Sequence, residues 1–300
     1  HLPHDLLGRG DGVLHRRQQR PGQDLVARWR LGLAAAGALL LSACSGGQET
    51  VTVTSVVTSE VTEAPASAPD AQLLLDATVA HVESIYGGQL GVATVRNEEP
   101  VAAGFTAPSP AWSTIKVPIA IAAMRAFPRL EEDARAAVSA SDNAAAQRLY
   151  DAVGAGPVDG VLDQVGLATG LNTEPLRPEF STYGQTQLSV ADEAVLAGQL
   201  ACVEGAGPVL ALMGQVDPSQ SYGLGTIRAL FKGGWGPDTA GAYQVRQFGL
   251  VPRGDGALAP VAITALPADG TYETGQAMLS AAAETLAADP MQLPVAACQP

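Results

Sequence analysis

Strand-like runs lie near both ends of the globular part of this chain, and the stretch between them reads as helix. Residues 90–96 and 101–105 read as two strands of a hairpin around the Asn97-Glu98-Glu99-Pro100 turn. Comparable segments return only at 231–234, 244–251 and 261–266. Helical periodicity fills 70–86, 113–127, 128–140, 142–153, 157–165, 189–203 and 273–288, with an irregular stretch over 167–187 that contains Pro175 and Pro178. Early and late strands must therefore meet across a block of helices. The expected fold is α/β (α+β): an antiparallel sheet flanked by helices, with an inserted all-helical subdomain and a ligand cleft between the two. At the first helix, Asp70 is expected as N-cap, with Leu73, Leu74, Val79 and Val82 on the apolar side.

The charge balance excludes some partners. The net charge is −13, and six of the fifteen arginines fall within residues 1–43, so the rest of the chain is more acidic still. Nucleic acid is thereby excluded, because its affinity comes from Lys and Arg set against phosphates. Solubility is the plain meaning of the acidity.

The N-terminal region reads as an export signal. Arg28 and Arg30 precede the apolar run 31–40, which is too short to span a bilayer as a helix. Leu41-Ser42-Ala43-Cys44 follows and resembles a bacterial lipobox, which implies lipidation at Cys44 and a membrane contact through the lipid anchor. The expected organisation is an over-extended gene model at 1–24, a lipoprotein signal peptide at 25–43, a Thr/Ser/Pro-rich tether at 44–69 and a monomeric globular domain at 70–300. A strand at 51–57 is a second reading of the tether. Cys202 and Cys298 lie far beyond Cys44; an exported compartment permits a disulfide, and sequence leaves open whether they pair or stay as buried thiols.

The chain has only two lysines, and each sits in a short motif. Lys116 closes Ser113-Thr114-Ile115-Lys116, and Lys232 opens Lys232-Gly233-Gly234. Elsewhere every cation is Arg, which cannot release its proton at working pH, whereas a desolvated lysine can. On a helix Ser113 and Lys116 face the same way, and a serine hydroxyl needs such a base to become a nucleophile. Taken singly, this pair reads first as an N-cap serine and a surface lysine. A third element, Ser141-Asp142-Asn143, stands at a predicted helix start.

In this order, Ser-x-x-Lys, Ser-Asp-Asn and Lys-x-Gly resemble the serine β-lactamase and penicillin-binding-protein superfamily, and class A β-lactamases in particular, over about residues 71–290. The resemblance implies a hydrolase acting through a Ser113 acyl-enzyme on a β-lactam or a peptidoglycan-derived cell-wall peptide. It implies that Lys116 helps deprotonate Ser113, that Ser141 relays a proton to the leaving nitrogen, and that Asn143 binds the substrate amide and Lys116. Lys232 would hold positive potential over the cleft. The backbone N–H groups of Ser113 and Trp235, with Gly234 beside them, would form the oxyanion hole. Asp142 would be structural. Trp112 and Trp235 adjoin motifs and read as cleft walls or as core filling.

Three departures qualify this. Gly233 replaces a hydroxyl residue that contacts the substrate carboxylate in the family, a bond worth about 1.5–3 kcal/mol; Arg246 could compensate, or be a solvated strand residue. The glutamate that activates the deacylating water has Glu174, before Pro175, as its counterpart, with Glu179 as a rival; solvated loop acids are the alternative. Only 24 residues separate Lys116 from Ser141, which implies a more open cleft. These departures admit two alternatives: a non-catalytic cell-wall-binding lipoprotein that retains the fold, or a penicillin binder with slow deacylation.

Other chemistries find no residues. Past the signal the sole histidine is His81, so neither a Ser-His-Asp triad with a Gly-x-Ser-x-Gly elbow nor a histidine-rich zinc site is expected, and no cofactor or metal motif is present.

Overall fold

A computed structural model describes residues 71–300. The signal, Cys44, the tether with its alternative strand at 51–57, and the Asp70 cap lie outside the described residues.

Helix α1 (Ala71–Tyr86) leads into the hairpin β1 (Gln89–Arg96) and β2 (Glu99–Gly104). The chain then passes through a two-residue strand β3 (Ser109–Pro110) and a 3-10 turn (Trp112–Ile115) into α2 (Lys116–Ala126). Helices α3 (Glu131–Ser139), α4 (Asn143–Val153) and α5 (Ala155–Gln164) follow. A long loop ends in a second short strand, β4 (Gln187–Leu188), before α6 (Val190–Gln199) and α7 (Gly207–Met213). Strands β5 (Leu230–Pro237), β6 (Tyr243–Pro252) and β7 (Leu258–Leu266) and helix α8 (Tyr272–Ala288) complete the fold.

The five long strands form one antiparallel sheet in the order β2-β1-β7-β6-β5, so the first hairpin joins the last three strands through β1 and β7. This is the closure the strand distribution predicts. Both sheet faces are covered. Val261, Ile263 and Ala265 face Leu75, Val82, Met278 and Leu279 of α1 and α8. Ala262, Phe248 and Leu250, of opposite parity, face the helical side with Leu196 and Ile119. Helix α2 is buried from Lys116 to Ala123, the central rod of the helical part. Pro118 is tolerated there because first-turn N–H groups have no intrahelical partner.

Several local expectations need correction. Leu73 is 65% exposed, and Leu75 takes its place in the core. The helix expected from Ser113 is a 3-10 turn for its first four residues. Helix 189–203 ends at Gln199, though Ser189 caps it as expected, in a capping box with Asp192. Helix α7 was not foreseen: its run of Val209, Leu210, Leu212 and Met213 is buried almost throughout and has no polar face to mark a period.

Cys202 and Cys298 form a disulfide, with Cα atoms 5.3 Å apart and a sequence separation of 96. It pins the C-terminal tail to the end of α6. Replacing both cysteines by serine should lower unfolding free energy by about 2–4 kcal/mol, through the larger entropy of the unlinked denatured chain. Equal urea midpoints for the two proteins would rule this out.

Candidate active site

The turn that carries Ser113, Trp112–Ile115, is held in an uncommon backbone shape. Trp112, just before Ser113, has φ +53°, a left-handed conformation that costs a non-glycine residue of order 1–3 kcal/mol. Ser141, at the start of the second motif, has φ +59°. Asp142 then caps α4, its side chain accepting from the N–H of Ala145 at 2.7 Å, so its structural role holds.

Strand β5 runs against the Ser113 turn because it has glycine where side chains would collide. A Cβ on Gly234 would lie 2.8 Å from both Ala111 O and Ser113 N, and one on Gly236 would lie 2.6 Å from the Trp112 ring. The intervening Trp235 points to the opposite sheet face and packs on Tyr272. Trp112 is 7% exposed and sits edge-on to Phe180, so it serves as both cleft wall and core.

Both lysines are buried, and both reach Ser141. Lys116 Nζ donates to Ser141 O at 2.6 Å and to Asn143 Oδ1 at 2.7 Å, with Ser141 Oγ at 3.5 Å. Lys232 Nζ donates to Ser141 Oγ at 2.9 Å and to Gly233 O at 2.8 Å. Burial lowers the Lys116 ammonium to about 8, against the raising influence of the Asp142 carboxylate. Lys232 is also lowered, first by burial and then by the charge of Lys116. A neutral Lys116 amine has two N–H groups, and its two short bonds use both. Its lone pair is then left for a third direction, which is what a base requires. Ser141 Oγ accepts from Lys232, so its own proton remains available to donate.

Ser113, Lys116, Ser141, Asn143, Trp112 and Trp235 line one cleft of about 550 Å³, closed on the far side by the 178–184 segment. Lys232 supports it from beneath Ser141. Three expected residues are placed differently. Arg246 does not face the cleft: it is fully buried, with Nη2 2.9 Å from the Glu193 carboxylate. It cannot compensate for Gly233, because its donors go to Glu193, Ser109, Pro110 and Leu188. Glu174 is exposed and outside the cleft lining, with its backbone carbonyl held by Asn172. Glu179 does line the cleft, but it is exposed and paired with Arg177 at 3.0 Å, and its carboxyl is lowered by backbone and Arg177 hydrogen bonds. Sequence reasoning missed Tyr183, Phe180 and Tyr243 as cleft residues, because isolated aromatic side chains, two in the long loop and one at the start of β6, carry no motif. No group of side chains suited to a metal ion occurs among the described residues, and no described helix is long and apolar enough to cross a membrane.

No protein-family model matches the chain, and no curated protein matches it in sequence. Its backbone is nevertheless similar to solved β-lactamases. A class A β-lactamase from Bacteroides cellulosilyticus superposes with TM-score 0.59 at 15% identity, over 73% of this chain and 99% of that one. A class A β-lactamase from Mycobacterium abscessus gives 0.58 at 14%, over 71% and 97%. A β-lactamase from Sphaerobacter thermophilus gives 0.56 at 20%, over 73% and 98%. The chain therefore has the serine β-lactamase-like fold.

Proposed function

We propose that on this fold the chain is an extracytoplasmic serine acyl-transfer enzyme that attacks a strained or peptide amide, a β-lactam or a cell-wall peptide, through Ser113. The reading rests on one observation: Ser141 Oγ lies 2.9 Å from Lys232 Nζ and 3.5 Å from Lys116 Nζ, so three separate motifs meet at one hydroxyl.

The step proceeds as follows. The neutral Lys116 amine takes the Ser113 proton as Oγ bonds to the carbonyl carbon. The N–H groups of Ser113 and Trp235 receive the developing oxyanion, where each donor is worth about 10²–10³ in rate. Ser141 donates to the amide nitrogen, the C–N bond breaks, and the Lys116 proton replaces the one Ser141 gave. Asn143 fixes the direction of the Lys116 amine and binds the substrate amide. Lys232 holds Ser141 in place by donating to its Oγ. Export through the lipobox, with diacylation at Cys44, would place this domain at the outer face of the membrane.

Hydrolysis of the acyl-enzyme needs a second base to activate water. The only carboxylate lining the cleft among the described residues is Glu179, whose pair with Arg177 makes it a weak base, and Glu174 is away from the cleft. This favours an acyl-enzyme that accumulates. Incubation with benzylpenicillin, followed by intact mass and peptide mapping, tests both parts. The expected result is a one-to-one adduct on the Ser113 peptide that persists after excess drug is removed. Rapid release of penicilloate would overturn slow deacylation, and folded protein that acquires no adduct from penicillins, cephalosporins or acyl peptides would overturn the enzyme reading.

A further inference from the structure

The proposed mechanism leaves unused the most deeply buried charged pair among the described residues. Glu193 and Arg246 are both fully buried. Burial raises the Glu193 carboxyl, and the Arg246 charge opposes that rise. Together the two side chains touch β3, β4 and the turn that carries Ser113. Arg246 Nε donates to Glu193 Oε2 at 3.0 Å. Its Nη1 donates to Ser109 O at 3.1 Å and Pro110 O at 2.8 Å, on the strand entering the turn. Its Nη2 donates to Leu188 O at 3.0 Å, on the strand leaving the long loop. In the sheet, Arg246 is the register partner of Gly234, the residue that abuts Ser113 N.

The other carboxylate oxygen reaches the turn itself. Thr114 Oγ1 lies 2.6 Å from Glu193 Oε1 and 2.7 Å from Ala111 O. Thr114 is the residue after Ser113, and Ala111 precedes the left-handed Trp112. The single hydroxyl proton is shared between these two acceptors, so Thr114 links both ends of the strained segment to Glu193. Backbone strain of this kind persists only where surrounding contacts over-determine it.

We propose that Glu193 and Arg246, acting through the Thr114 hydroxyl, are positioning residues that hold Ser113 against β5. The idea rests on the Ser113 reading above, and it assigns the pair no contact with substrate. Its consequence is kinetic: without the clamp Ser113 drifts relative to the N–H groups of β5, and misplacement of about 1 Å can cost about 100-fold in rate.

Thr114→Val removes the hydroxyl at nearly constant shape and leaves the Glu193–Arg246 pair in place, and Thr114→Ser restores the hydroxyl. With benzylpenicillin, Thr114→Val should lower the limiting acylation rate about 100-fold with little change in the concentration giving half the limiting rate, and Thr114→Ser should recover most of the rate. Hydrogen exchange read by mass spectrometry should show faster exchange over peptides covering 109–117 in Thr114→Val, with α1 and α8 unchanged. A wild-type rate and wild-type exchange at 109–117 in Thr114→Val would overturn the proposal. So would uniform loss of protection across the domain, which marks a merely structural role. If wild-type protein takes no acyl group, the enzyme reading fails, and the exchange measurement still decides whether the clamp exists.

Discussion

Lys116→Ala is expected to slow acylation of Ser113 about 10³-fold, within the range for loss of a positioned general base. Binding of the probe before the chemical step should change little, because Lys116 is only 2% exposed. The same assignment fixes the pH profile of the wild type. Only the neutral amine can accept the Ser113 proton, and burial brings Lys116 down from 10.5 to about 8. Acylation should therefore rise about tenfold per pH unit below about 8 and level off above it. Linkage gives a matching stability trend. The folded chain sheds this proton more easily than the unfolded one, so between about 8 and 10.5 the unfolded state binds more protons at this group. The contribution of Lys116 to stability therefore rises with pH across that window, and its penalty is full below it. A flat acylation profile from about pH 6 to 9, with folded protein throughout, would remove Lys116 from the role of base.

The parts of this molecule legible in sequence are those where one residue type meets one physical demand. Strand-like runs at 90–96 and 101–105, and again in the last three strands, required the sheet to close over the helices, and β1 does pair with β7. Scarcity of lysine singled out Lys116 and Lys232, and the structure brings both to Ser141. What stayed hidden depends on direction rather than identity. Arg246 was considered for the cleft because it lies on the strand after Lys232; the sequence does not say that its side chain turns inward to meet Glu193. Glu193 itself carries no motif, being an acid on a helix whose pattern reads as amphipathic. Glu174 resembled a loop acid of the family by its proline neighbour alone, and the loop turns it outward. The strands β3 and β4, two residues each, are too short to have a period, yet they carry three of the carbonyls that Arg246 satisfies.

Arg246→Met should cost about 3–5 kcal/mol of unfolding free energy, the usual result of leaving one member of a buried ion pair alone. Glu193 would retain its contact with Thr114 but lose the charge that offsets its burial. The carbonyls of Ser109, Pro110 and Leu188 would lose this donor. Arg246→Lys should rescue little, because a single ammonium cannot direct separate N–H groups along the four lines that the guanidinium occupies. The double variant Arg246→Met, Glu193→Leu should recover part of the loss, since it removes the orphaned charge, but not the part owed to the three carbonyls. Urea denaturation followed by circular dichroism measures all of these. Equal midpoints for wild type and Arg246→Met would show that the pair contributes nothing to the fold. A full recovery in the double variant would assign the whole cost to charge and none to the backbone. The expected order explains how this chain distributes its cations: an amine where a proton must move, beside Ser113 and Ser141, and a guanidinium where one buried cation must hold several strands at once.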